Sequence, residues 1–363
     1  MKLDVPLADE VVAEVVETWI MRFLNSGVLF SDLVEILRRV RGWPDWLGAW
    51  REVADRYLAH ARRWEAEGRH ASAAGLYELA AVYYHYGYFV WTVDREAHRQ
   101  ALLAMVAAHE KALPHMRPAV RKMRIPWEGR ELTALLSVPE TAGKRPAPVV
   151  IVLPGLDSCK ETRHQGRGAY LRRGLAVLSL DGPGQGESFL HSTIRPDYET
   201  AVRAAIDALQ GVEGVDANRV AVVGMSLGGY YAARAAAFEG RLSAAVVDSG
   251  PYDLGEAWPQ LPRVTREAFQ LYSGASSPEE ARRRAGELHL RGVAARIRIP
   301  TLILHGEQDP LFGADHARRL AEEIGSAATL QVFPEGNHGL QNVRPLVAPM
   351  VADWVADRLR AGA

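Results

Sequence analysis

Val220-Ala221-Val222-Val223-Gly224-Met225-Ser226-Leu227-Gly228-Gly229-Tyr230 is the stretch from which the rest of the chain is read. β-Branched and small apolar residues run into Gly-x-Ser-x-Gly. An Ala-rich segment, Tyr231-Ala232-Ala233-Arg234-Ala235-Ala236, follows at once. The pattern is strand, sharp turn, helix. Such a turn holds Ser226 in a strained backbone conformation with its hydroxyl exposed. Gly224 and Gly228 leave room where a side chain would collide. The helix behind the serine brings free N–H groups and a positive dipole end to the same place. Alone, the pattern also fits a tight turn with a surface serine, so its meaning depends on partners elsewhere.

Two later segments supply them. Thr301-Leu302-Ile303-Leu304-His305-Gly306-Glu307-Gln308-Asp309 puts an aspartate just past an apolar strand. Leu330-Gln331-Val332-Phe333-Pro334-Glu335-Gly336-Asn337-His338 puts a histidine just past the next. The order Ser, Asp, His places each residue beyond the C-terminal end of a parallel strand, the edge where sites of open α/β sheets form. His338, oriented by Asp309, is the expected base for Ser226. Glu307 is the alternative acid, closer to its strand. His305 lies within the strand and reads as structural; His164 and His191 carry no distinguishing signal.

Acyl transfer also needs donors for a developing oxyanion. The backbone N–H of Leu227 is one. The other is expected from Leu153-Pro154-Gly155-Leu156-Asp157-Ser158, with the N–H of Leu156 the choice, beside a glycine that permits close approach. Asp157, Ser158 and Lys160 read as fixing that loop. The glycine rhythm of Asp181-Gly182-Pro183-Gly184-Gln185-Gly186-Glu187-Ser188 fails the dinucleotide fingerprint and lacks Gly-Lys-Ser/Thr, so it reads as a rigid turn beside the site.

At 363 residues the chain suits one large domain with a smaller one. Net charge is -1 and no basic block appears, which excludes nucleic acid or an anionic membrane as the main partner. One cysteine, Cys159, permits no internal disulfide. Without a Cys/His cluster, neither metal nor cofactor is expected. Met1-Lys2-Leu3-Asp4-Val5-Pro6 lacks signal-peptide character and no apolar run approaches membrane-spanning length, so a cytoplasmic location is the expectation.

The periodicity divides the chain near residue 116. Residues 1–116 read as a helical domain. Val11, Val12, Val15, Val16, Trp19, Ile20 and Phe23 recur at helical spacing, Ser31-Asp32 is placed to cap a second helix, and 46–67 and 71–88 form a hairpin broken at Gly68-Arg69, with a further helix over about 94–112. Six of the nine tryptophans fall in the first hundred residues and read as packing between these helices, with the alternative that some line a substrate pocket against the second domain. From 117 alternation takes over. Two strands, 119–127 and 131–138, flank a Glu128-Gly129 turn, and 146–153, 175–180, 220–223, 244–248, 299–305 and 329–333 follow, interleaved with helices at 197–210 and 343–360. Such a pattern predicts a mostly parallel, about eight-stranded sheet covered on both faces. Residues about 251–298 break the rhythm and read as an inserted helical cap, with helices around 262–271 and 278–291.

Taken together, Gly224-Met225-Ser226-Leu227-Gly228-Gly229, Asp309 and His338 resemble the α/β-hydrolase superfamily. The loops 153–158 and 181–188 resemble its two-domain branch with a helical N-terminal domain, which includes 2,6-dihydroxypseudooxynicotine hydrolase, FrsA-like esterases and fungal polyketide-shortening hydrolases. That resemblance implies an active site between core and helical parts, and commonly a homodimer. It also implies a small-molecule substrate, an ester or a carbon–carbon bond beside a ketone. In the carbon–carbon hydrolase an acid from the region after the sixth strand contributes to the pocket; Glu256 is the nearest candidate here. The expectation is a serine hydrolase acting through an acyl-enzyme on a small carbonyl compound, foremost a carboxylic ester. Rivals are a carbon–carbon hydrolase, an acyltransferase with the same triad, a serine peptidase of the oligopeptidase kind, against which the helical first domain counts, and a protein-docking scaffold with an inert core.

Overall fold

A computed structural model describes residue 7, residues 9–140 and residues 145–361; Met1–Pro6 lie outside these. The chain divides into two compact units. One is residues 1–119 with 262–268, the other residues 120–261 with 269–363. The division therefore falls within a few residues of 116, and one segment of the inserted region groups with the first unit.

In the first unit, α1 (Glu10–Asn25), α2 (Phe30–Arg39), α3 (Trp46–Ala66), α4 (His70–Tyr88) and α5 (Arg95–Ala112) follow one another. Asp9 and Asp94 cap α1 and α5 by accepting two backbone N–H bonds each. The cap expected for α2 is different. Its N-cap is Leu29, with no side-chain cap bond. The hydroxyl of Tyr83 accepts the Leu29 N–H at 3.0 Å and donates to buried Asp32 at 2.6 Å. A tyrosine from α4 has displaced the local Ser-Asp signal, which sequence spacing does not disclose. The tryptophans pack as expected. Trp46 and Trp50 are fully buried, with Phe23 and Tyr86 against them, and Trp46 Nε1 donates to the Tyr86 carbonyl.

The second unit is one eight-stranded sheet in the order β1-β2-β4-β3-β5-β6-β7-β8. Its strands are β1 (Val120–Trp127), β2 (Arg130–Ser137), β3 (Ala147–Leu153), β4 (Ala176–Asp181), β5 (Val215–Met225), β6 (Leu242–Asp248), β7 (Thr301–Gly306) and β8 (Ala328–Phe333). β1 and β2 form an antiparallel hairpin, β2 meets β4 antiparallel, and every other pairing is parallel. Glu128 (φ 47) and Gly129 (φ 74) make the hairpin turn. Alternate residues point to opposite faces. Val150, Val152, Val177, Ala221, Val223, Val246 and Leu304 therefore bury one face, with Val347, Val351 and Val355 from the last helix in the same cluster. The opposite-parity residues Val149, Ile151, Val222 and Val247 are equally buried. This is the α/β-hydrolase sheet.

Further helices are α6 (Lys160–His164), α7 (Arg167–Leu171), α8 (Glu199–Leu209), α9 (Leu227–Phe238), α10 (Leu254–Ala257), α11 (Arg263–Ser273), α12 (Pro278–Ala285), α13 (Ala314–Ile324) and α14 (Arg344–Ala361). The helix expected over 278–291 is cut short. Ser277 caps it and Pro278 opens it, but it stops at Gly286, whose Cα packs against Gly255, and the chain then makes a bridge from His289 to Asp253. Among the described residues no helix is long and apolar enough to cross a membrane.

Chain order sets where the site lies. After β3 the chain goes to β4 on one side, then returns to lay β5 on the other. The loops after β3 and β5 therefore face each other where the winding reverses, the crevice in which ligands bind in such sheets. The Leu153↔Gly224 pairing brings the expected oxyanion loop level with the serine turn.

Candidate active site

The serine turn is built from backbone contacts. A Cβ on Gly224 would lie 1.8 Å from the Gly228 carbonyl oxygen, and one on Gly228 2.5 Å from that of Leu153, so neither position tolerates a side chain. Ser226 has φ 58 and ψ -129 and heads α9. A non-glycine residue at positive φ costs about 1–3 kcal/mol and persists only where its surroundings over-determine it. Here Ser226 N–H donates to the Asp248 carbonyl at 2.8 Å, and the Ser226 carbonyl accepts from Gly229 N–H at 2.7 Å. Leu227 is the first residue of α9, so its N–H lacks an intrahelical acceptor. Across the reversal point, the Gly155 Cα sits so close that a Cβ there would lie 3.6 Å from Ser226 Oγ.

β7 and β8 deliver the other two residues. His338 Nδ1 donates to Asp309 Oδ2 at 2.8 Å, which leaves Nε2 as the basic nitrogen. The second Asp309 oxygen accepts from Leu311 N–H at 2.8 Å and Phe312 N–H at 3.1 Å. The Asp309 side chain is fully buried, and that of His338 is 12 % exposed. The Phe312 ring stands edge-on to the imidazole at 5.5 Å. The His338 loop is anchored on the serine side of the sheet. Gly339 N–H donates to Ser249 Oγ at 3.0 Å, and Gly339 packs against the sulfur of Met225, the residue before Ser226.

Electrostatics follow from this pairing. Burial favours the neutral form of Asp309, but the charge and hydrogen bond of His338 outweigh it and hold the carboxyl below its ordinary range. Burial likewise opposes charging His338. The Asp309 carboxylate, with smaller help from Asp157 and Asp248, raises the imidazole above its ordinary value.

Beside the oxyanion loop sits a second buried cluster. The fully buried Lys160 Nζ lies 2.7 Å from Glu161, 3.0 Å from Asp181 and 2.6 Å from Glu187. Lys122 reaches Glu187 at 2.8 Å, and Lys160 N–H donates to Asp181 at 2.6 Å. Lys160 thus ties the start of α6 to the turn over 181–188.

Of the remaining sequence candidates only His305 adjoins the Asp309–His338 pair, its Nε2 3.6 Å from Asp309 Oδ2. Glu307 is exposed and paired with Arg318. His305 is buried and donates to the Phe312 carbonyl at 2.9 Å, a structural role. His164 is buried against Ser137 and Ser179, and His191 is exposed. Glu256 requires a correction. It is exposed and ion-paired with Arg319 and Arg291, so its carboxylate is spent on surface cations rather than in a pocket. Ser249 and Phe312 carried no sequence signal; only their contacts with the His338 loop single them out.

Comparison with known proteins gives the family and the fold. Residues 32–254 match the family described as Esterase FrsA-like, and residues 167–361 match the prolyl oligopeptidase family. The chain belongs to the FrsA-like esterase family. It is 35% identical over 348 residues to 2,6-dihydropseudooxynicotine hydrolase of Paenarthrobacter nicotinovorans, covering 94% of this chain and 92% of that one. The crystal structure of the 2,6-dihydroxy-pseudo-oxynicotine hydrolase superposes with TM-score 0.86 at 32% identity, over 94% of this chain and 96% of that one. AbyA5 superposes with TM-score 0.74 at 18% identity, over 98% and 99% of the two chains, a likeness of fold alone. Like the relatives named for hydrolysis, this FrsA-like chain is an α/β-hydrolase enzyme. The prolyl oligopeptidase match begins inside the sheet domain and leaves out residues 1–119 of the first unit.

Proposed function

We propose that the protein is a serine hydrolase that cleaves a small carboxylic ester through an acyl-enzyme, without a cofactor. The observation that carries the reading is the His338–Asp309 hydrogen bond from loops beyond β7 and β8, on the same sheet edge as the strained Ser226. His338 Nε2 takes the Ser226 proton as Oγ attacks the carbonyl, and Asp309 stabilises the imidazolium. The N–H groups of Leu156 and Leu227 receive the oxyanion. His338 protonates the leaving group and then activates water, which releases the acid and restores Ser226.

Turnover of p-nitrophenyl esters from acetyl to decanoyl, with Ser226→Ala as control, tests this. Serine-dependent hydrolysis is expected; unchanged turnover by the alanine variant would sink the reading. A second reading, cleavage of a carbon–carbon bond beside a ketone, draws on the likeness to 2,6-dihydropseudooxynicotine hydrolase, which covers 94% of the chain. It predicts fluorophosphonate labelling of Ser226 with little ester turnover, and hydrolysis of β-diketones or aryl ketones. A cytoplasmic homodimer belongs to the proposal through family resemblance, and light scattering of the purified protein tests the dimer.

A further inference from the structure

The motif Asp181–Ser188, read from sequence as a rigid turn, contains a buried side chain that grips the backbone of the oxyanion loop. Gln185 is 1 % exposed. Its Nε2 donates to the Pro154 carbonyl at 2.7 Å and the Gly155 carbonyl at 3.1 Å. Its Oε1 accepts from Gly182 N–H at 3.0 Å and from the Tyr198 hydroxyl at 2.7 Å. The carbonyls only accept and the Gly182 N–H only donates, so the amide has one orientation, and all four of its hydrogen-bonding positions are filled.

This grip has a directional consequence. In a trans peptide C=O and N–H point opposite ways, and the Gly155–Leu156 bond is trans. Drawing the Gly155 carbonyl toward Gln185 turns the Leu156 N–H away from it, and drawing the Pro154 carbonyl does the same to the Gly155 N–H. Successive N–H groups turned to one side form an anion-binding concavity. Gly155 is also the residue whose Cα abuts Ser226. Gln185 is held in turn by Tyr198, whose ring stacks on Tyr231 of α9 at 3.9 Å and 11°. The helix behind the nucleophile and the loop facing it are thus coupled through Tyr198 and Gln185.

We propose that Gln185 is a positioning residue that aims the oxyanion-binding N–H groups of the 154–156 loop at the carbonyl attacked by Ser226. This rests on the serine-hydrolase reading above. It never touches substrate; it acts through the peptide planes.

The test is the labelling rate of Ser226 by a fluorophosphonate across pH, for wild type, Gln185→Leu and Tyr198→Phe. Phosphonylation develops negative charge in the same hole and needs no knowledge of the substrate. Loss of a single oxyanion donor costs about 10²–10³-fold in other hydrolases, so misaiming one should cost Gln185→Leu about 10- to 100-fold in maximal rate. The reagent's apparent affinity and the pH midpoint set by His338 should stay at wild-type values. Tyr198→Phe removes one of two donors to Oε1 and should lose severalfold in the same manner. It decides the matter alone if Gln185→Leu fails to fold. An unchanged maximal rate, or a loss accompanied by a displaced pH midpoint, overturns the proposal, because the latter means the triad itself has moved. Failure of wild type to label would instead overturn the serine-hydrolase reading on which it rests.

Discussion

Two buried aspartates, Asp309 after β7 and Asp181 at the end of β4, are treated in opposite ways. Asp309 faces two imidazoles, hydrogen-bonded His338 and His305 at 3.6 Å, accepts two further N–H bonds, and its pKa is lowered. Asp181 is equally buried and also has a cationic partner, yet its pKa is pushed up to about 7. Burial is the largest cause there, Lys160 only partly offsets it, and Glu161 adds like charge. Lys160 is shared with Glu161 and Glu187, whereas Asp309 accepts the His338 hydrogen bond and has His305 as a second basic neighbour. Burying a carboxylate does not decide its charge; the balance of acids and bases around it does. The first site keeps a charge ready for use, and the second spends its charge on holding a loop.

The sharpest way to break this comparison is Asp309→Asn. The imidazole loses the carboxylate that fixes its tautomer and stabilises its charge, so kcat on a p-nitrophenyl ester should fall about 10³- to 10⁴-fold. A loss below tenfold would remove Asp309 from the triad. The pH profile of the residual activity gives the sign. His338 acts as a base, so rate rises with pH through its folded pKa. That value lies above the ordinary ~6.5 in wild type, and the acid limb should sit there. In Asp309→Asn burial is opposed only by the smaller influence of Asp157 and Asp248, and the limb should move to lower pH.

Next in size is Lys160→Met, which strands buried carboxylates without their shared cation. Removing one partner of a buried ion pair costs about 3–5 kcal/mol. Urea unfolding should show a loss of this order, whereas Asp309→Asn should leave the midpoint nearly unmoved. Equal stability losses would erase the distinction between the two sites.

The smallest effect concerns stability against pH. Asp181 titrates near 4 when unfolded and at about 7 when folded, so the folded state holds its proton more tightly. Its stabilising contribution is present at low pH and is lost as pH climbs from about 4 to about 7. Asp181→Asn should flatten that part of the stability profile, measured by thermal unfolding across buffers. An unchanged slope would mean that the proton resides elsewhere in the cluster.

Legibility from sequence followed the range of the interactions. The serine turn could be read because its Gly-x-Ser-x-Gly pattern is contiguous and Gly224 is required by a contact four residues away, although the atoms that exclude a side chain at Gly228 belong to Leu153 and Pro154. The strands could be read because two-sided burial leaves continuous apolar runs such as Ala147–Leu153. Asp309 and His338 could be nominated because strand ends place them on one sheet edge. Glu256 could not be judged, since its surface partner Arg319 lies 63 residues on.

Sequence alone, then, determined the order of elements, the glycine pattern of the serine turn and the chemical types available at the sheet's edge, because periodicity and contiguous motifs are local properties. The tertiary structure alone decided which carboxylate stays charged, that Tyr83 rather than Ser31 or Asp32 finishes α2, and that Gln185 grips the loop 30 residues before it. A buried polar group takes its role from the partners that replace water, and those partners come from anywhere in the chain.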